Sequence, residues 1–183
     1  MKIRKLLLPV LILGLAFSAC KKDDFTLFLN YDDNNFTSPT LPAGTYELAA
    51  RFPAAETSDY TGSLLKVVDA YIVAEPQAVR LKIYGQGNGN EPGDVLYSKS
   101  VTNEIRTDQW VRLEIDDPIE ITGEELWISL RITLGNQQQS VGCDAGPGHP
   151  EGSYVFLDDS DVWTTYSAWV GESINWNIRG GVE

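Results

Sequence analysis

Beyond residue 24 the chain alternates between apolar and polar positions with a period of two, the spacing of a strand with one buried face. Phe25, Leu27, Leu29 and Tyr31 alternate along one phase, as do Tyr46, Leu48, Ala50 and Phe52. Val79, Leu81 and Ile83 face one way, and Arg80, Lys82 and Tyr84 the other. Val111, Leu113 and Ile115 oppose Trp110, Arg112 and Glu114. The longest run is Leu126, Ile128, Leu130, Ile132 and Leu134, interleaved with Trp127, Ser129, Arg131 and Thr133. Leu64 to Val73 is apolar on both phases, which marks a central strand. Shorter strands are expected at 95–101, 154–157, 162–166 and 174–182.

Gly, Pro, Asn and Asp punctuate these runs. "YGQGNGNEPGD" (84–94) reads as a hairpin loop, and "DDP" (116–118) and "TGEE" (122–125) read as turns. "GCDAGPGHPEG" (142–152) is too rich in Gly and Pro for a regular element. About nine or ten short strands with such spacing predict an all-β fold: an antiparallel β-sandwich of jelly-roll type, one domain over residues 25–183.

The first 19 residues break the pattern. Lys2, Arg4 and Lys5 precede an apolar stretch from Leu6 to Ala19. As a helix that stretch spans roughly 21 Å, short of the ~30 Å hydrocarbon core. A basic start, a short apolar core and small residues at its end describe a signal peptide, residues 1–19. The ending Phe17-Ser18-Ala19-Cys20 resembles the lipobox of bacterial lipoproteins, which implies cleavage before Cys20 and its acylation. Lys21-Lys22-Asp23-Asp24 resembles the export signal of Bacteroidetes-like surface lipoproteins, which implies a lipid-anchored protein on the outer face of the outer membrane. Cys20 to Asp24 would be the tether. Lys21 to Asp24 reach only about 14 Å when extended, so the domain is expected close to the bilayer.

Charge narrows the partners. The leader holds three of the 14 basic residues and none of the 26 acidic ones, so the processed chain carries a formal charge of −15. Such a surface repels nucleic acid and anionic headgroups, and nucleic-acid binding is not expected. With Cys20 acylated, Cys143 has no partner within the chain and is expected as a buried small hydrophobe. The single histidine, His149, lies in "GPGHPEG" with no nucleophile elbow, and reads as a loop residue. Acidic pairs are frequent, but no pair stands out as a glycosidase couple, which needs two carboxyl groups about 5–10 Å apart across a cleft. The chain is not expected to be an enzyme.

Two sets of residues are candidates for binding. Tyr84, Tyr97, Trp110 and Trp127 fall on the polar phase of their strands, with Arg112 and Arg131 beside the tryptophans. Exposed aromatic faces stack on the apolar surface of sugar rings while polar neighbours fix orientation. Trp163, Tyr166 and Trp169 in "VWTTYSAW", and Trp176, are expected to close the core. Oxygen-rich loops are the second set. Asp158, Asp159 and Asp161 in "LDDSDVW", Asp32 and Asp33 in "YDDNNF", and Asp144 are candidate ligands for structural calcium, which takes six to eight oxygens.

"YDDNNF" (31–36), "LKIYGQGNGNEPGDVLYSKSV" (81–101), "IEITGEELWISLRI" (119–132), "VGCDAGP" (141–147) and "INWNIRGGVE" (174–183) together resemble the jelly-roll modules of secreted Bacteroidetes proteins. These modules are related to the cleaved-adhesin or haemagglutinin domains of gingipain-type proteases. The resemblance implies a non-catalytic module that binds protein or glycan, with structural calcium. Such modules usually accompany catalytic domains, and none is present in this chain. The alternatives are a structural subunit of an envelope complex, for which the short tether speaks, and a carboxylate-based hydrolase.

Overall fold

Alternation sends one set of side chains from every strand into a shared interior, and two antiparallel sheets enclose it. The computed structural model describes residues 27–183; the signal peptide, Cys20 and the tether lie outside the described residues. The smaller sheet has the order β1 (Leu27–Leu29), β12 (Ile178–Val182), β4 (Leu64–Ile72), β7 (Gln109–Glu120). The larger has β11 (Val162–Thr165), β10 (Tyr154–Leu157), β3 (Gly44–Phe52), β8 (Leu126–Leu134), β5 (Ala78–Tyr84), β6 (Val95–Ser100). β2 (Thr40–Leu41) and β9 (Gln138–Gln139) pair separately and are the two strands beyond the expected count. The fold is an all-β sandwich, as the alternation predicts.

The core lies between the sheets. Leu48, Ala50 and Phe52 of β3, Leu81 and Ile83 of β5, and Ile128, Leu130 and Ile132 of β8 meet Leu65, Val68, Ala70 and Ile72 of β4 and Leu113 of β7. Trp176 is fully buried and donates its indole N–H to the carbonyl of Tyr154 at 2.9 Å. Cys143 is fully buried as expected, and burial pushes its thiol up to about 12. β4 has a neighbour on each side, in line with its apolar character on both phases. Among the described residues no helix is long and apolar enough to cross a membrane.

Four expectations are corrected. "DDP" at 116–118 is not a turn but lies inside β7. β7 is an edge strand, and residues 115–118 bulge opposite Lys66, where a proline without an N–H breaks no ladder bond. The carboxyl-terminal strand starts at Ile178 rather than at 174. The strand from Val162 stops at Thr165, whose side chain accepts from the Ala168 amide and caps a single helical turn, Tyr166–Val170, ended by Gly171 at φ 84°. That turn puts Tyr166 inside and leaves Trp169 37% exposed, so Trp169 does not close the core.

The two sheets pack tightly at Gly180 of β12. A Cβ on Gly180 would lie 2.5 Å from Cδ1 of Ile128 and 2.8 Å from Cδ1 of Leu65, each on a side chain packed in the core. Gly180→Ala is therefore expected to lower stability by about 1–3 kcal/mol through overpacking. The urea midpoint should fall with the slope unchanged. An unaltered midpoint would show that the sheets separate more easily than this packing implies.

Candidate functional site

The outward phase of the larger sheet is not a solvated surface. Glu47, Ala49 and Arg51 of β3 pair across with Arg131, Ser129 and Trp127 of β8. Lys82 and Tyr84 of β5 lie on the other side of Ser129 and Trp127. Tyr154 and Phe156 of β10 flank Ala49 and Glu47, and Trp163 of β11 stands beside Phe156. Trp127, Ser129, Ala49 and Glu47 are buried here as completely as core residues.

Aromatic rings and two carboxylates close this layer. Trp127 packs against Tyr154 at 4.6 Å and Trp163 at 5.5 Å between ring centroids, with the Arg51 guanidinium 5.6 Å from its ring. Its indole N–H donates to Glu125 Oε1 at 2.8 Å. The other oxygen of Glu125 accepts from Arg51 Nε and Nη2 at 2.8 and 2.6 Å. Glu47 accepts from the Tyr84 hydroxyl at 2.5 Å, from Ser129 at 2.6 Å and from Lys82 at 3.0 Å. Lys82 also donates to the Tyr84 hydroxyl. Arg131 reaches past Glu47 to Asp158. Burial, with the Glu47 carboxylate beside it, keeps the Tyr84 phenol protonated far above its ordinary range.

The loop 85–94 rises beside this floor and is tied down at two points. The Gly87 amide donates to Glu125 Oε1 at 3.2 Å, and the Tyr154 hydroxyl donates to Asn90 at 3.3 Å. The loop also closes on itself. A Cβ on Gly87 would fall 1.8 Å from the Glu91 carbonyl oxygen, and one on Gly93 2.0 Å from that of Gln86. No other residue permits so close a backbone approach. Between loop and sheet lies a cavity of about 310 Å³ lined by Tyr84, Phe156, Trp163, Glu91, Pro92 and Asp161. A second of about 490 Å³ runs along Gln86 to Asp94 and shares Glu91, Pro92 and Gly93 with the first.

Of the aromatic candidates, Tyr84 and Trp127 come together on this floor with Arg131. The expectation of an exposed Trp127 is overturned: the loop, Tyr154, Arg51 and Trp163 cover it. Tyr84 is also buried and shows only its margin to the cavity. Tyr97 is on the inner face: a bulge between Ile83 and Tyr84 shifts the phase of β6, so Tyr97 pairs with Ile83 and packs against the core, its hydroxyl donating to Asp116 at 3.3 Å. Trp110 lies on the smaller sheet, edge-on to Tyr71, with Arg179 4.1 Å over its ring. The aromatic wall at the cavity is instead Phe156 and Trp163, both half-buried. The one available signal was the phase of "YVFL", where Tyr154 and Phe156 alternate with buried Val155 and half-buried Leu157.

The acidic candidates disperse. Asp158, Asp159 and Asp161 form a hairpin turn in which the amides of Ser160 and Asp161 bond the Leu157 carbonyl. Asp158 pairs with Arg131, Asp161 turns to the 310 Å³ cavity at φ 55°, and Asp159 faces Tyr46 at another cavity. Asp32 is buried elsewhere, held by Asn177, 145 residues on, at 2.8 Å and by Arg179 at 2.8 Å. Burial pushes its carboxyl up against the pull of those two partners. Asp33 is exposed. Asp144 accepts from the Gly146 and Asn175 amides and organises its own loop. Among the described residues no group of three His, Cys, Asp or Glu converges. His149 stacks on Tyr31 at 4.1 Å, in a loop as expected.

No family model, no curated protein and no solved structure matches the chain.

Glu125 makes the floor sensitive to acid. Burial opposes its charge, but donors from Trp127, Arg51 and Gly87 outweigh burial and hold the carboxyl below the usual carboxylate range. A lowered folded pKa contributes stability above the unfolded value of about 4.3 and loses it as pH falls further. Glu125→Gln should cost about 1–3 kcal/mol at pH 7, because Arg51 loses its closest acceptor. The cost should shrink steadily below pH ~4.3 in chemical denaturation run at several pH values. A difference that stays constant with pH would contradict this account.

Proposed function

We propose that this protein is a non-enzymatic, lipid-anchored binding module of the outer membrane whose β-sandwich holds a glycan. The observation that carries the reading is the 310 Å³ cavity, walled by Phe156 and Trp163 over side chains already bonded to one another, with the 490 Å³ cavity along the loop adjoining it. A sugar ring offers apolar C–H faces to an aromatic wall and hydroxyls to rim groups such as Glu91 and Asp161. The volumes, about 310 and 490 Å³, suit a short oligosaccharide. Catalysis finds little support here. Glu47 and Glu125 accept hydrogen bonds from cationic and neutral donors, which leaves neither ready to act as acid or nucleophile.

The jelly-roll reading is supported by the strand order. With the β10–β11 hairpin set aside, the two sheets read β1-β12-β4-β7 and β3-β8-β5-β6, so successive strands cross repeatedly from one sheet to the other. That interleaving is what two nested Greek keys produce. The likeness to cleaved-adhesin modules agrees with it, since the segments carrying that likeness include the β5–β6 hairpin and β12. A second reading, a structural subunit of an envelope assembly, is favoured by one observation. β1 begins at Leu27, so residues 21–26 reach at most about 21 Å from Cys20.

A glycan array followed by calorimetry tests the binding role. One or more glycans should be retained, and Trp163→Ala should weaken them about tenfold or more while Trp169→Ala, on the far side of the β10–β11 turn, leaves them unchanged. Retention of no glycan, or equal binding by the Trp163 variant, would overturn the assignment. Mass spectrometry of the native protein should show an acylated Cys20. A bare thiol there would remove the anchor.

A further inference from the structure

A second surface lies outside the glycan cavities. β6 is the last strand of the larger sheet and pairs only with β5, so a row of its peptide groups points outward. The bulge at its start leaves Val95 52% and Leu96 51% exposed, adjacent apolar residues on an open edge. Leu96 and Ile119 line a groove of about 430 Å³ between β6 and the end of β7. Its rim carries Asp117, Glu120 and Glu124, none of which forms an ion pair among the described residues.

Charge selects the occupant. The chain carries −12 overall, so a second copy would bring like charge to an acidic rim, and nucleic acid or an anionic bilayer would be repelled. The open strand edge favours an extended polypeptide over a helix. We propose that this groove docks an extended, basic segment of a partner protein. One aliphatic side chain of the segment sits on Ile119 and Leu96. Lysines or arginines on either side of it meet Asp117, Glu120 and Glu124, and its backbone runs beside β6. The carboxylates steer and select, while the apolar contact holds the segment.

The probe is a fluorescein-labelled peptide, Lys-Val-Lys-Leu-Lys-Val-Lys, titrated with the folded protein and followed by anisotropy. Binding is expected to weaken about tenfold or more when salt is raised from about 50 to 300 mM. A similar loss is expected in the triple variant Asp117→Asn, Glu120→Gln, Glu124→Gln, whose exposed positions leave the fold intact. Hydrogen exchange should slow at residues 95–100 on binding. Trp163→Ala should bind the peptide normally, which separates this surface from the glycan reading. Absence of binding would overturn the proposal, as would equal affinity in the triple variant. Equal affinity for a peptide of the same charge with prolines in place of its valines would also overturn it, by reducing the effect to attraction between opposite charges.

Discussion

Two buried carboxylates, Glu47 and Glu125, are the constraint on which the larger sheet's outer face depends. Each is nearly out of water and each is surrounded by donors from different strands. Glu47 joins β3, β5 and β8; Glu125 joins the start of β8 to β3 and to the loop 85–94. A buried charge that lost one partner would cost several kcal/mol, so each geometry is held as a set rather than bond by bond. The aromatic rings then fill the space between the two centres, and Trp127 is sealed by them.

That sealing explains what was legible in the sequence and what was not. Period-two alternation located β3, β5 and β8 closely, because their inward side chains enter one interior and a slip of one residue would turn every side chain over. The same alternation could not tell whether the other phase met water. Trp127 and Tyr84 occupy polar-phase positions and are buried all the same, because β10, β11 and the loop 85–94 cover a face that the local pattern leaves open. Tyr97 was misplaced for another reason: a single bulge inverts its phase, and bulges carry little signal beyond a nearby glycine. The acidic runs show a third limit of local pattern. "LDDSD" and "YDDNNF" have the composition of a cation loop, yet one is a tight hairpin and the other is tied to Arg179 from the opposite end of the chain.

The covered face also changes what the module can do. A flat exposed tryptophan would bind through one stacking contact. In the proposed role, a wall of Phe156 and Trp163 on a floor whose side chains bond one another confers shape instead. Selectivity then falls to the rim, where Glu91 and Asp161 stand and where the loop is fixed at Gly87 and Asn90. A floor already satisfied by its own bonds reorganises little when a ligand arrives, which lowers the cost of binding.

The loop 85–94 has a cavity on one side and the β6 groove on the other, with Gln86 lining both. Two ligands meeting one loop share its free energy, and any coupling between them is reciprocal. Coupling of useful size requires the loop to have two arrangements that the ligands weigh differently. The bonds from Gly87 to Glu125 and from Tyr154 to Asn90, with the close glycine contacts inside the loop, define a single arrangement. The two surfaces are therefore independent to the extent that Glu125 keeps its charge. Protonation of Glu125 weakens the bonds that Gly87 and Arg51 make to its two oxygens, so acid is the condition under which one side of the loop would sense the other.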